Sequence, residues 1–197
     1  MKKLTTLFLI LFLSGWVLAD TSRSQKIQQV TQALDAVQDG SVWQARVEDY
    51  AGGFYLGNLY FQYPAKYRLN YDHNRHYYCV DGNVTAFQGS NKVNSYKLEG
   101  ESLWNLFGGK VGKNVEIQMV DNEVIDYYGQ ALNVVVADLY SVTEKGDVAR
   151  LRVYVDVQGT PKLLGYATSS TNGFGRVWLR DLHQITPKKN LFERSVL

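Results

Sequence analysis

Asp72-His73-x-x-His76-x-x-Cys79 is the one cluster in this chain that gathers metal-type ligands at short spacing. Structural zinc takes four such ligands converging tetrahedrally. On an extended strand, steps of three send His73 and His76 to opposite faces, and His76 and Cys79 likewise. The spacing therefore argues against a metal, and a polar hairpin with exposed histidines and a buried thiol is expected. Asp181-Leu182-His183 is the second candidate, since a hydrolase needs a base held against a nucleophile. Its two polar residues fall on one strand face, which suits an exposed pair. No Gly-x-Ser-x-Gly elbow is present. Gly108-Gly109 and Gly173-Phe174-Gly175 do not open a helix after a strand, so they read as turns and not as phosphate loops. No catalytic residue, no metal and no cofactor is expected.

The elements that carry these residues are mostly strands. Ile27, Val30, Leu34 and Val37 recur at steps of three and four, predicting one amphipathic helix within residues 20–40, capped by Ser22 or Ser24 and ended at Asp39-Gly40. After Gly40 the apolar period changes to two. Strands are predicted at Ser41–Tyr50, Phe54–Tyr63, Tyr67–Tyr71, His76–Val80, Val84–Gln88, Asn91–Leu98, Val115–Val120, Leu132–Tyr140, Val148–Val157, Leu163–Thr168 and Gly175–Leu182. Asp81-Gly82 is a strong hairpin signal because Gly tolerates positive φ. Short turns between successive strands predict an antiparallel meander. Glu101–Phe107 interrupts it with Leu103, Trp104, Leu106 and Phe107, one or two apolar helical turns. The tail from Pro187 is basic, with Leu191-Phe192 as a docking pair. An apolar sheet face must be covered, and the helix and the 102–107 segment are the candidates to cover it. Incomplete cover would leave a lipid-sized cavity.

Composition narrows the class. Lys2 and Lys3 precede an uncharged apolar run from Leu4 to Val17, and Val17-Leu18-Ala19 suits cleavage before Asp20, so residues 1–19 read as an export signal. Trp16 follows Leu13-Ser14-Gly15 where a lipid-anchored protein would need a cysteine, so an exported, free and soluble protein is expected. The rest, residues 20–197, is sized for one domain. Without Lys2 and Lys3 the basic residues number 19, equal to the 19 acidic ones, which removes the electrostatic footprint of nucleic-acid binding. A lone cysteine excludes an internal disulfide. The 14 tyrosines, 4 tryptophans and 8 phenylalanines, against 3 prolines, suit half-exposed apolar surfaces, because a phenol is greasy along its ring and polar at its tip.

The order of these motifs resembles the LolA family. Its densest part is Gly57-Asn58-Leu59-Tyr60-Phe61-Gln62-Tyr63-Pro64-Ala65-Lys66-Tyr67-Arg68-Leu69-Asn70-Tyr71, a Gly, a short apolar strand, a Pro and an alternating aromatic-Arg-apolar strand. Asp81-Gly82 falls at the family's hairpin turn, Ser102–Phe107 at its lid helix, and Val153–Gly159 at a further strand and turn. The likeness runs from about residue 24 to Phe192.

It implies a mainly β fold, an unclosed antiparallel β half-barrel covered by the N-terminal helix and a short lid helix. It also implies a non-enzymatic periplasmic carrier of lipoprotein acyl chains. The implied partners are acylated lipoproteins, an inner-membrane lipoprotein-releasing ABC transporter and an outer-membrane acceptor, with the carrier itself a monomer. Positions lining the family's cavity correspond to Tyr67, Leu69 and Tyr71. Strand parity adds Leu59, Phe61 and Tyr63, and the lid adds Leu103, Trp104, Leu106 and Phe107. Tyr63 stands where many members carry a basic latch residue. Ala86 and Gln88 stand where the family often has a Trp-x-aromatic pair. The alternative reading is a lipid- or glycolipid-binding module, or a sensor of the RseB kind, on the same half-barrel.

Overall fold

The computed structural model describes residues 22–50, 53–63, 66–97, 115–142, 148–170 and 173–193. The expected export signal and the expected lid residues Leu103, Trp104, Leu106 and Phe107 lie outside them. Helix α1 covers residues 22–36, within the predicted span. Val30, Ala33, Leu34 and Val37 are buried along one side, as the three-and-four spacing requires. Its last turn tightens through backbone bonds from Val37 to Leu34 and from Gln38 to Asp35. Gly40, at φ 84°, then reverses the chain. The Asp39 carboxylate accepts from the Ser41 amide at 2.8 Å and from Gln184 Nε2 at 2.9 Å. These bonds tie the end of the helix to the first and last strands.

Eleven strands follow: β1 Val42–Asp49, β2 Tyr55–Gln62, β3 Lys66–Tyr71, β4 Arg75–Val80, β5 Asn83–Gln88, β6 Asn91–Lys97, β7 Val115–Tyr127, β8 Gln130–Val142, β9 Val148–Asp156, β10 Lys162–Ser170 and β11 Gly173–Ile185. They form one antiparallel sheet in the order β6-β5-β4-β3-β2-β1-β11-β10-β9-β8-β7. The expected meander is therefore two meanders joined at the centre. The first and last strands pair from Val42↔Ile185 to Asp49↔Val177. Every other consecutive pair is bonded except β6 and β7, which remain the two edges. The result is a half-barrel open at one seam. That seam falls at the connection holding the predicted lid, the one connection too long to be a hairpin. Edge strand β6 is exposed throughout and carries Lys92 and Lys97, charges that discourage edge-to-edge pairing.

Local chemistry explains the turns. Asp81 and Gly82 both take positive φ, 50° and 78°, the two-residue turn whose twist matches a hairpin. The sequence reading ended β7 at Val120, but the strand continues to Tyr127. Asp121-Asn122-Glu123 carry no alternating apolar signal, because this edge segment is exposed on both sides. The turn that follows, Tyr128-Gly129 at φ 57° and 77°, places a tyrosine in a region such residues seldom adopt, so no turn signal marked it.

The sheet has two apolar faces. The inner face packs on α1 as a continuous cluster drawn from all but the edge strands. On the outer face a smaller cluster joins Val134, Val136, Tyr154, Leu164, Ala167 and Trp178. β8 pairs with β9 only from Val134 onward. The tip of the β7–β8 hairpin is thus free of the sheet and lays Ile125, Tyr127 and Leu132 on this outer cluster. β10 and β11 pair from Gly165↔Trp178 to Ser170↔Gly173. Just past that ladder, the Tyr127 hydroxyl donates to the Leu179 carbonyl at 3.2 Å.

Candidate functional site

Register builds the inner face row by row. Phe61, Tyr67, Cys79 and Val84 stand side by side across β2–β5, and Leu59, Leu69, Tyr77 and Ala86 form the next row. Alternation along each strand turns all of them to the helix side. Leu59, Phe61, Tyr67 and Leu69 are buried in the inner cluster, and Tyr71 packs against it half-buried. Tyr63 stands apart: β2 ends at Gln62, and Tyr63 occupies the turn, half-buried. Ala86 lies opposite Tyr77. The close approach at Gly57 is also specific, because a Cβ there would lie 2.7 Å from the Asn70 carbonyl oxygen and 3.0 Å from Tyr71 Cδ1.

A cavity of about 600 Å3 opens where the C-terminal half of α1 crosses the ends of β10 and β11. Its wall is largely apolar, with Ala33, Ala36, Val37, Leu163, Leu179 and Leu182 on it, and Tyr127 and Tyr128 reach it from the β7–β8 tip. The lining expected from sequence lies on β2, β3 and the 103–107 segment, whereas this cavity is lined mainly from α1, β10 and β11. Val37 was legible as helix face, but that Leu163 and Leu179 meet beneath it depends on β11 crossing back to the centre of the sheet.

The polar groups on this face are few and held neutral or paired. Tyr71 donates its hydroxyl to the Asp49 carboxylate. Burial raises the phenols of Tyr67, Tyr71 and Tyr166, with the Asp49 charge adding to the rise at Tyr71. They stay protonated across the physiological range, which suits a surface for apolar contact and not a base. Burial likewise pushes the Cys79 thiol up to about 11. Native protein at pH 8 is therefore expected to resist maleimide or Ellman's reagent, and to react fully once unfolded in urea. Stoichiometric labelling of the native chain would contradict this burial.

The two clusters weighed for chemistry are dispersed. Cys79 points into the inner cluster, while His76 lies on the other face against the Asn70 and Asn74 side-chain oxygens, each at 3.1 Å. His73 is exposed, stacked on Tyr71 with ring centres 5.3 Å apart. Among the described residues no three of His, Cys, Asp and Glu are grouped to hold a metal. At Asp181, φ 53° breaks the regular strand. His183 Nδ1 lies 2.5 Å from the Asp181 backbone carbonyl, while the Asp181 carboxylate lies 3.6 Å from Arg180 Nε. The expected pair on one face is thus replaced by a bulge. The tail docks as expected in part: Leu191 and Phe192 are half-buried, and Arg68 Nη1 donates to the Leu191 carbonyl at 3.4 Å. Among the described residues no helix is long and apolar enough to cross a membrane.

No family model and no curated protein matches the chain. Solved structures with a similar course include an uncharacterized conserved protein from Thermus thermophilus, at TM-score 0.49 and 9% identity over 85% of this chain and 91% of that one. LprF from Mycobacterium bovis gives 0.46 and 12% over 86% and 98%. The Mycobacterium tuberculosis lipoprotein LppX gives 0.42 and 14% over 83% and 98%. The half-barrel of this chain stands on its own strand order and register.

Proposed function

We propose that this chain is a non-catalytic periplasmic carrier that shields the acyl chains of lipoproteins. It receives them from an inner-membrane ABC transporter and yields them to an outer-membrane acceptor. The observation that supports this most is an apolar inner face left unclosed at one seam, covered by a single described helix, and holding a cavity at the helix end. Burial of apolar area yields about 25 cal/mol per Å2, and acyl chains gain about 0.8 kcal/mol per CH2 removed from water. An unclosed seam lets that gain be made and later undone, which a sealed core does not permit. The motif order shared with the LolA family points the same way, and Leu59, Phe61, Tyr67, Leu69, Tyr71 and the 103–107 segment are proposed as further lining.

The test adds purified mature protein to spheroplasts retaining newly made lipoproteins. Release of lipoproteins as soluble complexes is expected, and no release would refute the carrier reading. Ala36→Glu sharpens it. Ala36 is solvent-exposed yet lines the cavity, so a carboxylate there meets the cargo without entering the packed core. At least a tenfold loss of release with a nearly unchanged melting temperature is expected. Leu69→Asp is less informative, because Leu69 is only 8% exposed and an unpaired carboxylate in its place would cost several kcal/mol of stability.

A further inference from the structure

A second cleft lies on the outer face, away from α1. It measures about 660 Å3 and sits between the β7–β8 tip and the adjoining ends of β1 and β11, within the ~300–1,000 Å3 range of small-molecule sites. Three exposed rings rim it: Tyr50 at 47%, Phe54 at 57% and Tyr128 at 36% exposure. Tyr50 and Phe54 lie with ring centres 5.1 Å apart. Its polar groups are Glu48, Asp126 and Arg176. The site is built and not incidental. The Tyr50 amide donates to the Arg176 carbonyl at 2.8 Å, and the Tyr50 hydroxyl donates to Glu48 Oε2 at 3.3 Å. Asp126 Oδ1 accepts the Gly129 amide at 2.8 Å, which fixes the turn that presents Tyr128.

The chemistry of the wall narrows the occupant. An acyl chain would strip water from Glu48, Asp126 and Arg176 without replacing their bonds. An anion would face two carboxylates. A quaternary cation would find Trp178 and Tyr128 covered by guanidiniums, Arg176 at 5.3 Å and Arg180 at 4.8 Å, and beside Tyr50 and Phe54 it would still meet the positive charge of Arg176. What fits is an uncharged ligand with an apolar face for the rings and many hydroxyls that both donate and accept. From this geometry we propose that the outer cleft is a binding site for a pyranose sugar, either free or as the headgroup of a glycolipid. The carboxylates accept from its hydroxyls, Arg176 donates to them, and Phe54 and Tyr50 stack on its C–H face. Tyr128 borders the cavity under α1 as well, but the proposal does not rest on the acyl-carrier reading.

Saturation-transfer NMR on the full mature chain tests it, with maltotriose and chitotriose as free sugars and monomeric n-octyl glucoside as a headgroup probe. Transfer to at least one probe is expected. Phe54→Ala, at an exposed position, is expected to weaken that binding at least tenfold, and Glu48→Ala to weaken it comparably. Ala36→Glu should leave the free-sugar signal unchanged, so failure of the inner cavity and of the outer cleft are read separately. Sensitivity to Phe54→Ala in the free-sugar arm supports a soluble ligand, and sensitivity in the octyl glucoside arm alone supports a headgroup. No transfer to any probe at 10 mM, transfer indifferent to Phe54→Ala, or binding of choline with none of the sugars would overturn the proposal.

Discussion

Gly165→Ala is expected to destabilise the protein by roughly 3 kcal/mol or more, at the upper end of overpacking costs. Gly165 stands opposite Trp178 in the β10–β11 ladder. A Cβ there would lie 2.4 Å from the Val177 carbonyl oxygen and 2.6 Å from Trp178 Cε3. The ring could tilt, but the carbonyl is backbone within the same ladder, so the two strands must part. The damage reaches further than one pair. Trp178 is 6% exposed and makes edge contacts with Tyr154 and Tyr127 at ring-centre distances of 5.0 and 5.5 Å. Tyr127 in turn holds the Leu179 carbonyl, so moving the indole also loosens the β7–β8 tip from the outer face. Urea denaturation followed by near-ultraviolet circular dichroism checks this. A lower midpoint with an unchanged slope is the expected signature. A variant within 0.5 kcal/mol of the parent would show that the strands yield more easily than this spacing allows.

The second large effect is expected from Arg152→Ala. Asp138 is fully buried on β8, and Arg152 stands directly opposite on β9. The guanidinium donates from Nε at 2.7 Å and from Nη2 at 3.1 Å to the two carboxylate oxygens. These charge-assisted hydrogen bonds, more than the carboxylate's charge itself, raise the Arg152 pKa. Removing Arg152 takes the bidentate guanidinium away from a buried carboxylate, and breaking a buried ion pair from one side costs about 3–5 kcal/mol. Replacing both residues by apolar ones of similar volume, as in Asp138→Leu with Arg152→Met, is expected to be close to neutral, because the same desolvation penalty then disappears.

The pH dependence gives a second readout of the single variant. Losing the guanidinium raises the folded-state pKa of this buried carboxyl relative to the parent. The folded variant then takes up protons at a higher pH than the folded parent does, so it loses less stability than the parent as pH falls. The deficit against the parent should therefore shrink from pH 7 toward pH 4.5. A deficit constant over that range would assign the loss to packing of the arginine stem instead.

The sequence by itself determined the elements of this protein. Val30, Leu34 and Val37 specify the helix face because neighbours on a helix recur every three or four residues. Leu59, Phe61, Tyr67 and Leu69 specify the inner side of β2 and β3 because a strand alternates faces, and Asp81-Gly82 marks its hairpin because the turn needs positive φ. The separation of His76 from Cys79 followed from the same alternation. Only the tertiary structure decided how the strands close. Pairing of β1 with β11 joins residues far apart in the chain, and no local period records it. That pairing moves the open seam to β6 and β7 and brings Leu179 and Leu182 under α1 to form the cavity. The curled β7–β8 tip was equally hidden, since a tyrosine at positive φ and a polar edge strand both run against local preference. The outer cleft depends on that tip. Its Tyr128 and Asp126 approach Glu48 and Arg176 because Ile125 and Leu132 bury themselves on Trp178's side of the sheet. The residues suspected of chemistry at the outset were thus local and legible, whereas both candidate binding sites depend on contacts made across the sheet.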